Sequence, residues 1–237
     1  MLGCLRSTSS RAPHHMGYWT YYLAWMLLAY ATRYPLLALG ALVFFALRRF
    51  VPDPFVFVQT MGRIRGLRQQ IEANPANVTA RRDLATIYLQ RLRPRAALKL
   101  LDEARQREPN DAELLYLTGL ARLRAGDAKG ALEPLVKAVE VDPRVRFGEP
   151  YLVAAEALLR MNMLEEAADA LHRYTDANTS SVEGRVRLAL IEKRRGEHEA
   201  AKEALREALS TWRQVPRFRR RKELRWWFRA QWARLTI

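Results

Sequence analysis

The sequence predicts an all-α protein: a solenoid of helical hairpins with an N-terminal hydrophobic membrane segment and a basic, aromatic C-terminal helix. Three observations predict it. Small and apolar residues recur with a period of 34 through the middle of the chain, residues 18–50 contain no acidic residue, and the positive charge is concentrated at the two ends. A chain of 237 residues holds one or two domains. Its composition, 49% apolar and 27% charged, is that of a folded protein and excludes wholesale disorder.

Residues 1–17 are expected to be disordered. The hydrophobic segment 18–50 is interrupted by Arg33 and Pro35. Its first part, Tyr18–Thr32, carries the aromatics Tyr18, Trp19, Tyr21, Tyr22, Trp25 and Tyr30; its second, Pro35–Leu47, is mainly aliphatic and stops at Arg48 and Arg49. A helix of about 15 residues reaches about 22 Å, short of the about 30 Å of a bilayer's hydrocarbon. Tyr and Trp prefer the interface and aliphatic side chains the core. The expected arrangement is therefore an interfacial helix feeding one span near residues 33–50, with Arg33 reaching back to the headgroups. A span centred on 19–38 and a re-entrant hairpin are the other arrangements. Arg48, Arg49, Arg63, Arg65 and Arg68 follow the segment, against Arg6 and Arg11 before it. The positive-inside rule then places the remainder of the chain in the cytoplasm, at a bacterial inner membrane. The bacterial setting is suggested by the excess of Arg over Lys.

Pro52 and Pro54 forbid helix continuation. Within the linker and capping region 51–77, Ile64, Leu67 and Ile71 fall on one helical face. The repeats occupy 78–215, in units at 78–111, 112–145, 148–181 and 182–215. Pro75, Pro109 and Pro143 are one period apart; so, but for one step of 36, are Ala97, Ala131, Ala167 and Ala201. Leu101, Leu135, Leu171 and Leu205 each lie four residues further on, and Ala85, Gly119, Ala155 and Ala189 recur upstream. Each unit reads as two amphipathic helices in close approach at the small residues, with Pro closing the unit. Gly126-Asp127, Asn162 and Gly196 supply hairpin turns, and Pro94 opens a second helix where its missing N–H does no harm. Pro134 is expected to kink a second helix or delay its start. The 36-residue step implies two extra residues near Arg144–Pro150.

These residues resemble the tetratricopeptide repeat (TPR) family. Leu84, Ala85, Tyr88, Ala97, Leu101, Ala104 and Pro109 match its pattern in the first unit, and Leu115, Gly119, Ala131, Leu135, Ala138 and Pro143 in the second. Departures are Arg81, Arg122, Tyr174, Thr179, Arg185, Glu192 and Arg213. The resemblance implies a concave groove, lined by first helices, that binds peptides and proteins. Carried over by position, the groove contains Arg82, Thr86, Tyr116, Leu120, Leu123, Leu152, Glu156, Leu159, Val186 and Leu190. The Leu and Val among them form a stripe suited to a helical partner's apolar face, or else pack inside the solenoid. Glu113, Glu149 and Glu183 open the first helices and Arg124, Arg160 and Arg194 close them, as helix dipoles favour. The family's clamp for C-terminal carboxylates is not matched, since Arg82, Thr86, Leu117, Glu149 and Val153 stand at its places.

The C-terminal region 216–237 reads as a capping helix, with Leu224, Trp227, Phe228 and Leu235 on one stripe. Arg219, Arg220, Arg221 and Lys222, followed by Trp226, Trp227 and Trp232, have the composition of a segment that lies on an anionic membrane. Single-stranded nucleic acid is the competing partner for such a tail and is not the one expected. No Ser/His/Asp set or phosphate loop is present; Cys4 is the lone cysteine and the four histidines are scattered. No metal, cofactor or enzymatic activity is expected. The expected function is a non-enzymatic, membrane-anchored scaffold binding proteins in its groove. The alternatives are an assembly factor or chaperone facing the periplasm, and a nucleic-acid-associated protein using the tail.

Overall fold

The computed structural model describes residues 54–235 and, upstream, Trp25, Met26 and Arg33, all three helical. The chain divides into two units, Met1–Pro54 and Phe55–Ile237. The predicted disordered stretch 1–17, most of the predicted membrane segment 18–50, and with it Arg48 and Arg49, lie outside the described residues. No helix among the described residues is long and apolar enough to cross a membrane.

The second unit is all-helical among its described residues. α1 (Pro54–Ala73) precedes four hairpins: α2 (Val78–Gln90) with α3 (Pro94–Arg105), α4 (Ala112–Ala125) with α5 (Ala128–Val141), α6 (Glu149–Arg160) with α7 (Leu164–Ala177), and α8 (Val182–Arg195) with α9 (His198–Gln214). α10 (Arg217–Arg234) closes the series against α8 and α9. Each helix packs chiefly on its sequence neighbours, as in a solenoid.

One turn geometry recurs in all four hairpins. The backbone N–H groups of Arg93, Asp127, Met163 and Glu197 donate to the carbonyls of Tyr88, Arg122, Leu158 and Glu192, at 2.8 to 3.0 Å. The residue before each is left-handed: Leu92, Gly126, Asn162 and Gly196 have φ between 56° and 99°. This is the Schellman arrangement, which satisfies carbonyls left open at a helix end. First helices start on side-chain caps where the sequence offers them: Asn77 accepts from the Ala80 amide, Asp111 from Leu114 and Ser181 from Gly184.

The core is a row of the recurring residues. Ala97, Leu101, Ala104, Leu115, Ala131, Leu135 and Ala138 form one cluster, and Ala155, Ala167, Leu171, Ala189 and Leu205 continue in the next. Ile64 and Leu67 of α1 complete a third cluster with Ala80, Leu84 and Ile87. A Cβ on Gly119 would lie 2.5 Å from Leu135 Cγ, so only glycine permits this approach of α4 to α5.

Several departures from the repeat pattern have partners of their own. Arg81 is buried, and its Nε donates to Glu103 at 2.9 Å; Arg185, three units on, makes the same bond to Glu207 at 3.2 Å. Tyr174, where the pattern has a small residue, lies against Gly184, whose Cβ would come within 2.6 Å of its ring; its hydroxyl donates to Ser181 Oγ. Glu192 is buried but pairs with Arg195 at 2.8 Å, and His172 lies 3.7 Å away. Pro134 does not delay α5, which starts at Ala128 and runs through it. Proline deprives the Gly130 carbonyl of its usual donor, and Arg122, standing at the pattern's tyrosine position, donates to that carbonyl at 2.9 Å. The 36-residue step is a 3-10 turn, Val145–Gly148, with Arg146, Phe147 and Gly148 all left-handed.

Candidate binding groove

The first helices α2, α4, α6 and α8 carry the predicted groove residues, in three environments. Tyr116, Leu123 and Val186 are buried and belong to the core. Val186 has no exposed surface, so the apolar stripe is narrower than the sequence suggests. Leu120, Leu152, Leu159 and Leu190 are half-buried and pack on the core from its edge. Arg82, Thr86 and Glu156 are also half-buried. The Thr86 hydroxyl is already spent, donating to the Arg82 carbonyl at 2.9 Å.

The charges form two chains of ion pairs and one end without them. Arg146 bridges Glu113 and Glu149 at 2.6 and 2.9 Å. The Tyr116 hydroxyl donates to Glu149 at 2.8 Å, and Arg146 lies over its ring. Burial, then the Glu149 carboxylate, push the Tyr116 phenol well above its usual range. Further along, Arg160 pairs with Glu156, Glu156 with Arg187, Arg187 with Glu183, and Glu183 with Arg225. Arg124 and Arg160, expected to complement the dipoles of their own helices, reach back to the first helix of the preceding unit. They donate to the carbonyls of Leu89 and Leu123 at 3.0 and 2.9 Å, clasping the end of the preceding first helix.

Where α8 meets α10 the compensation ends. A cavity of about 220 Å³ is lined by Leu159, Leu190, Ile191 and Trp226, with Glu156, Arg187, Arg194 and Arg229 around them. Arg194 and Arg229 form no ion pair with any acidic side chain among the described residues. The Trp226 indole is flanked by the guanidinium groups of Arg187, Arg225 and Arg229 at 5.1 to 5.6 Å. Its N–H is buried without a hydrogen-bond partner. The cavity is below the roughly 300 Å³ of small-molecule pockets.

The predicted membrane residues of the tail divide as well. Trp226 is buried against the fourth unit, and Trp227 is half-buried with its ring 5.9 Å from that of Trp212. Both pack in the cap: Trp226 is withdrawn from the surface, and Trp227 keeps only part of its ring exposed. The expected stripe of Leu224, Trp227, Phe228 and Leu235 is likewise not the seated one: α10 buries Trp226, Ala230 and Ala233 and leaves Leu224, Phe228 and Leu235 outside. Trp232, Arg219, Arg220 and Arg221 are exposed; the Lys222 side chain lies outside the described ones. Arg220 returns to the Val215 carbonyl at 3.0 Å, capping the end of α9.

Spacing alone did not mark Arg146 and Arg187. Arg146 sits in the inserted turn, and Arg187 lies one position outside the concave register. For Arg229 a signal existed: it stands three residues after Trp226.

Four repeated helical hairpins stacked in sequence order, their first helices joined by two chains of ion pairs, define an α-solenoid. The TPR_16 tetratricopeptide repeat profile matches residues 82–144 and 152–217, together more than half of the chain, and the chain belongs to the tetratricopeptide repeat family. The fold is a typical non-catalytic interaction scaffold. Comparison with curated proteins gives no match. Among solved structures, MamA is similar at a TM-score of 0.60 and 18% identity, over 64% of this chain and 87% of that one. YrrB, described as a TPR protein with an unusual peptide-binding site, is similar at 0.53 and 19%, over 70% and 90%. Pseudomonas aeruginosa PilF is similar at 0.58 and 15%, over 69% and 78%. At these identities the likeness concerns the fold.

Proposed function

We propose that this protein is a membrane-anchored scaffold that holds a helical protein partner in its groove. The observation that carries the reading is the alignment of Leu120, Leu152, Leu159 and Leu190 along successive first helices, ending at the cavity beside Trp226. An amphipathic helix would lay its apolar face on the leucines. Its acidic side chain would meet Arg194 and Arg229, which no acidic side chain of the described solenoid pairs. Charge-assisted bonds of this kind fix register as well as adding affinity.

A photo-crosslinking residue at position 190, in cells, is expected to yield a discrete adduct. The same residue at Val136, exposed on a second helix, is expected to yield none. Equal labelling at the two positions, or none at 190, would reject the groove. Anchoring rests on the acid-free segment 18–50, and the cytoplasmic side on the arginine imbalance around it. The chain should resist alkaline carbonate extraction, and a phosphatase reporter fused after Ile237, active only where its disulfides form, should stay silent. An active reporter would turn the scaffold to the periplasmic side.

A further inference from the structure

α10 has two faces, and only one of them serves the solenoid. Trp226, Ala230 and Ala233, at helical steps of four and three, are buried against α8 and α9. The opposite stripe, Phe218, Arg221, Arg225, Phe228, Trp232 and Leu235, follows the same alternation of three and four residues. Phe218 is 80%, Phe228 60%, Trp232 71% and Leu235 83% exposed, and Leu224 beside them 43%. Monomeric surfaces rarely gather so many large apolar side chains without a partner.

The charge of the stripe says which partner. Every charged residue on it is arginine, and Glu223, the sole acid of residues 211–237, lies half-buried on the inner side. A second copy meeting this face with its own would set Arg221 and Arg225 against their like. An anionic lipid surface would pair Arg221 with phosphates, Arg225 being engaged by Glu183 and the Trp226 ring, while taking up the aromatic and aliphatic side chains beside it, as Arg and Trp do together at a headgroup boundary. We infer that the outer face of α10 docks, as a folded helix, on an anionic membrane surface. Phe218, Leu224, Phe228, Trp232 and Leu235 enter the headgroup boundary, and Arg221 meets lipid phosphates. Trp226 holds the helix to the fourth unit, so docking requires no unfolding. The inference deepens the membrane reading above, yet it rests on α10 alone.

The experiment uses the full chain with Cys4→Ser and Leu235→Cys, an environment-sensitive fluorophore on the new thiol, and vesicles of phosphatidylcholine with or without phosphatidylglycerol. If segment 18–50 anchors the chain, the protein floats with both vesicles; if that anchor fails, it floats with the anionic ones only. In either case the label is expected to move to an apolar environment only with phosphatidylglycerol, and to return as salt is raised. Arg221→Glu should weaken the transition about tenfold or more, and Phe228→Ser with Trp232→Ser should abolish it at unchanged helix content. A label that stays aqueous on anionic vesicles at low salt overturns the inference. So does a shift that needs no lipid and grows with protein concentration, which is the second-copy outcome. An equal or larger shift with single-stranded oligonucleotide at matched salt overturns it too.

Discussion

The second hairpin and the terminal helix are built from similar apolar content and use it differently. α4 and α5 have a neighbour on either side, and α4 buries Leu114, Leu115, Tyr116, Leu117, Thr118, Gly119, Ala121 and Leu123, most of its length. Among the described residues α10 has a neighbour on one side only and seats one aromatic and two alanines, while four large apolar side chains stay majority-exposed. In a solenoid each unit's burial is set by its neighbours. The terminal helix therefore shows what the sequence placed there for another purpose than packing.

The contrast is most severely tested in the buried core. Leu135→Ala removes a side chain with 1% exposure and should cost about 3 kcal/mol. Its effect should be global, because α5 supports the units on both sides. Gly119→Ala alone should destabilise, since its Cβ would meet Leu135; combined with Leu135→Ala it should cost less than the sum, a coupling read from the double-mutant cycle of melting curves. Trp226→Ala should cost a similar amount locally: hydrogen exchange should show α10 opening while α4 and α5 stay protected. Equal loss of protection in both places would mean that α10 is integral to the repeat core and that the contrast is false.

The fold was legible because a repeat writes each contact several times. Ala97, Leu101 and their counterparts fixed the hairpins, and the 36-residue step fixed where the extra turn lies. The groove was legible by position but not by exposure. Val186 occupies a concave register and yet is fully buried, because the separation of α6 and α8 is a property of their packing and not of spacing. Pro134 shows a second limit: the break was visible, its repair by Arg122 from the neighbouring helix was not. In α10 arginines and aromatics surround the helix on all sides. The seated face is decided by Ala230 and Ala233, small enough to let α8 and α9 approach, and no stripe of large residues reveals it.

The four hairpin turns sharpen the comparison at about 1 kcal/mol. They share one set of backbone bonds but not one residue at the left-handed position. Gly126 and Gly196 adopt it without steric cost, whereas Leu92, at φ 56° and 59% exposed, holds a side chain that gains little burial there. Leu92→Gly is expected to stabilise by about 1 kcal/mol, raising the melting temperature by about 2–4 °C at this chain length. A loss of stability would show that Leu92 packs on α3 in a way that outweighs the backbone strain.

The smallest expected effect concerns Glu223, the acid on the inner side of α10. Burial, and next the nearby Glu183 carboxylate, raise its pKa above the ordinary glutamate value, against the pull of Arg219 and Arg225. Between the ordinary glutamate value and the raised folded-state one, the folded chain therefore keeps a proton that the unfolded chain has released. Below the ordinary glutamate range both states are protonated and this contribution to stability is fully present; it is lost as pH rises through the folded-state value. Glu223→Gln keeps an acceptor for the Glu183 amide and removes the charge. It should raise the melting temperature at neutral pH and leave it unchanged in acid. A fall at neutral pH would mean instead that the carboxylate is needed as counter-ion to Arg219 and Arg225. The inner face of α10 would then be held by charge pairing as well as by Trp226, and the separation between its packing face and its arginine-rich outer face would be weaker than the burial pattern implies.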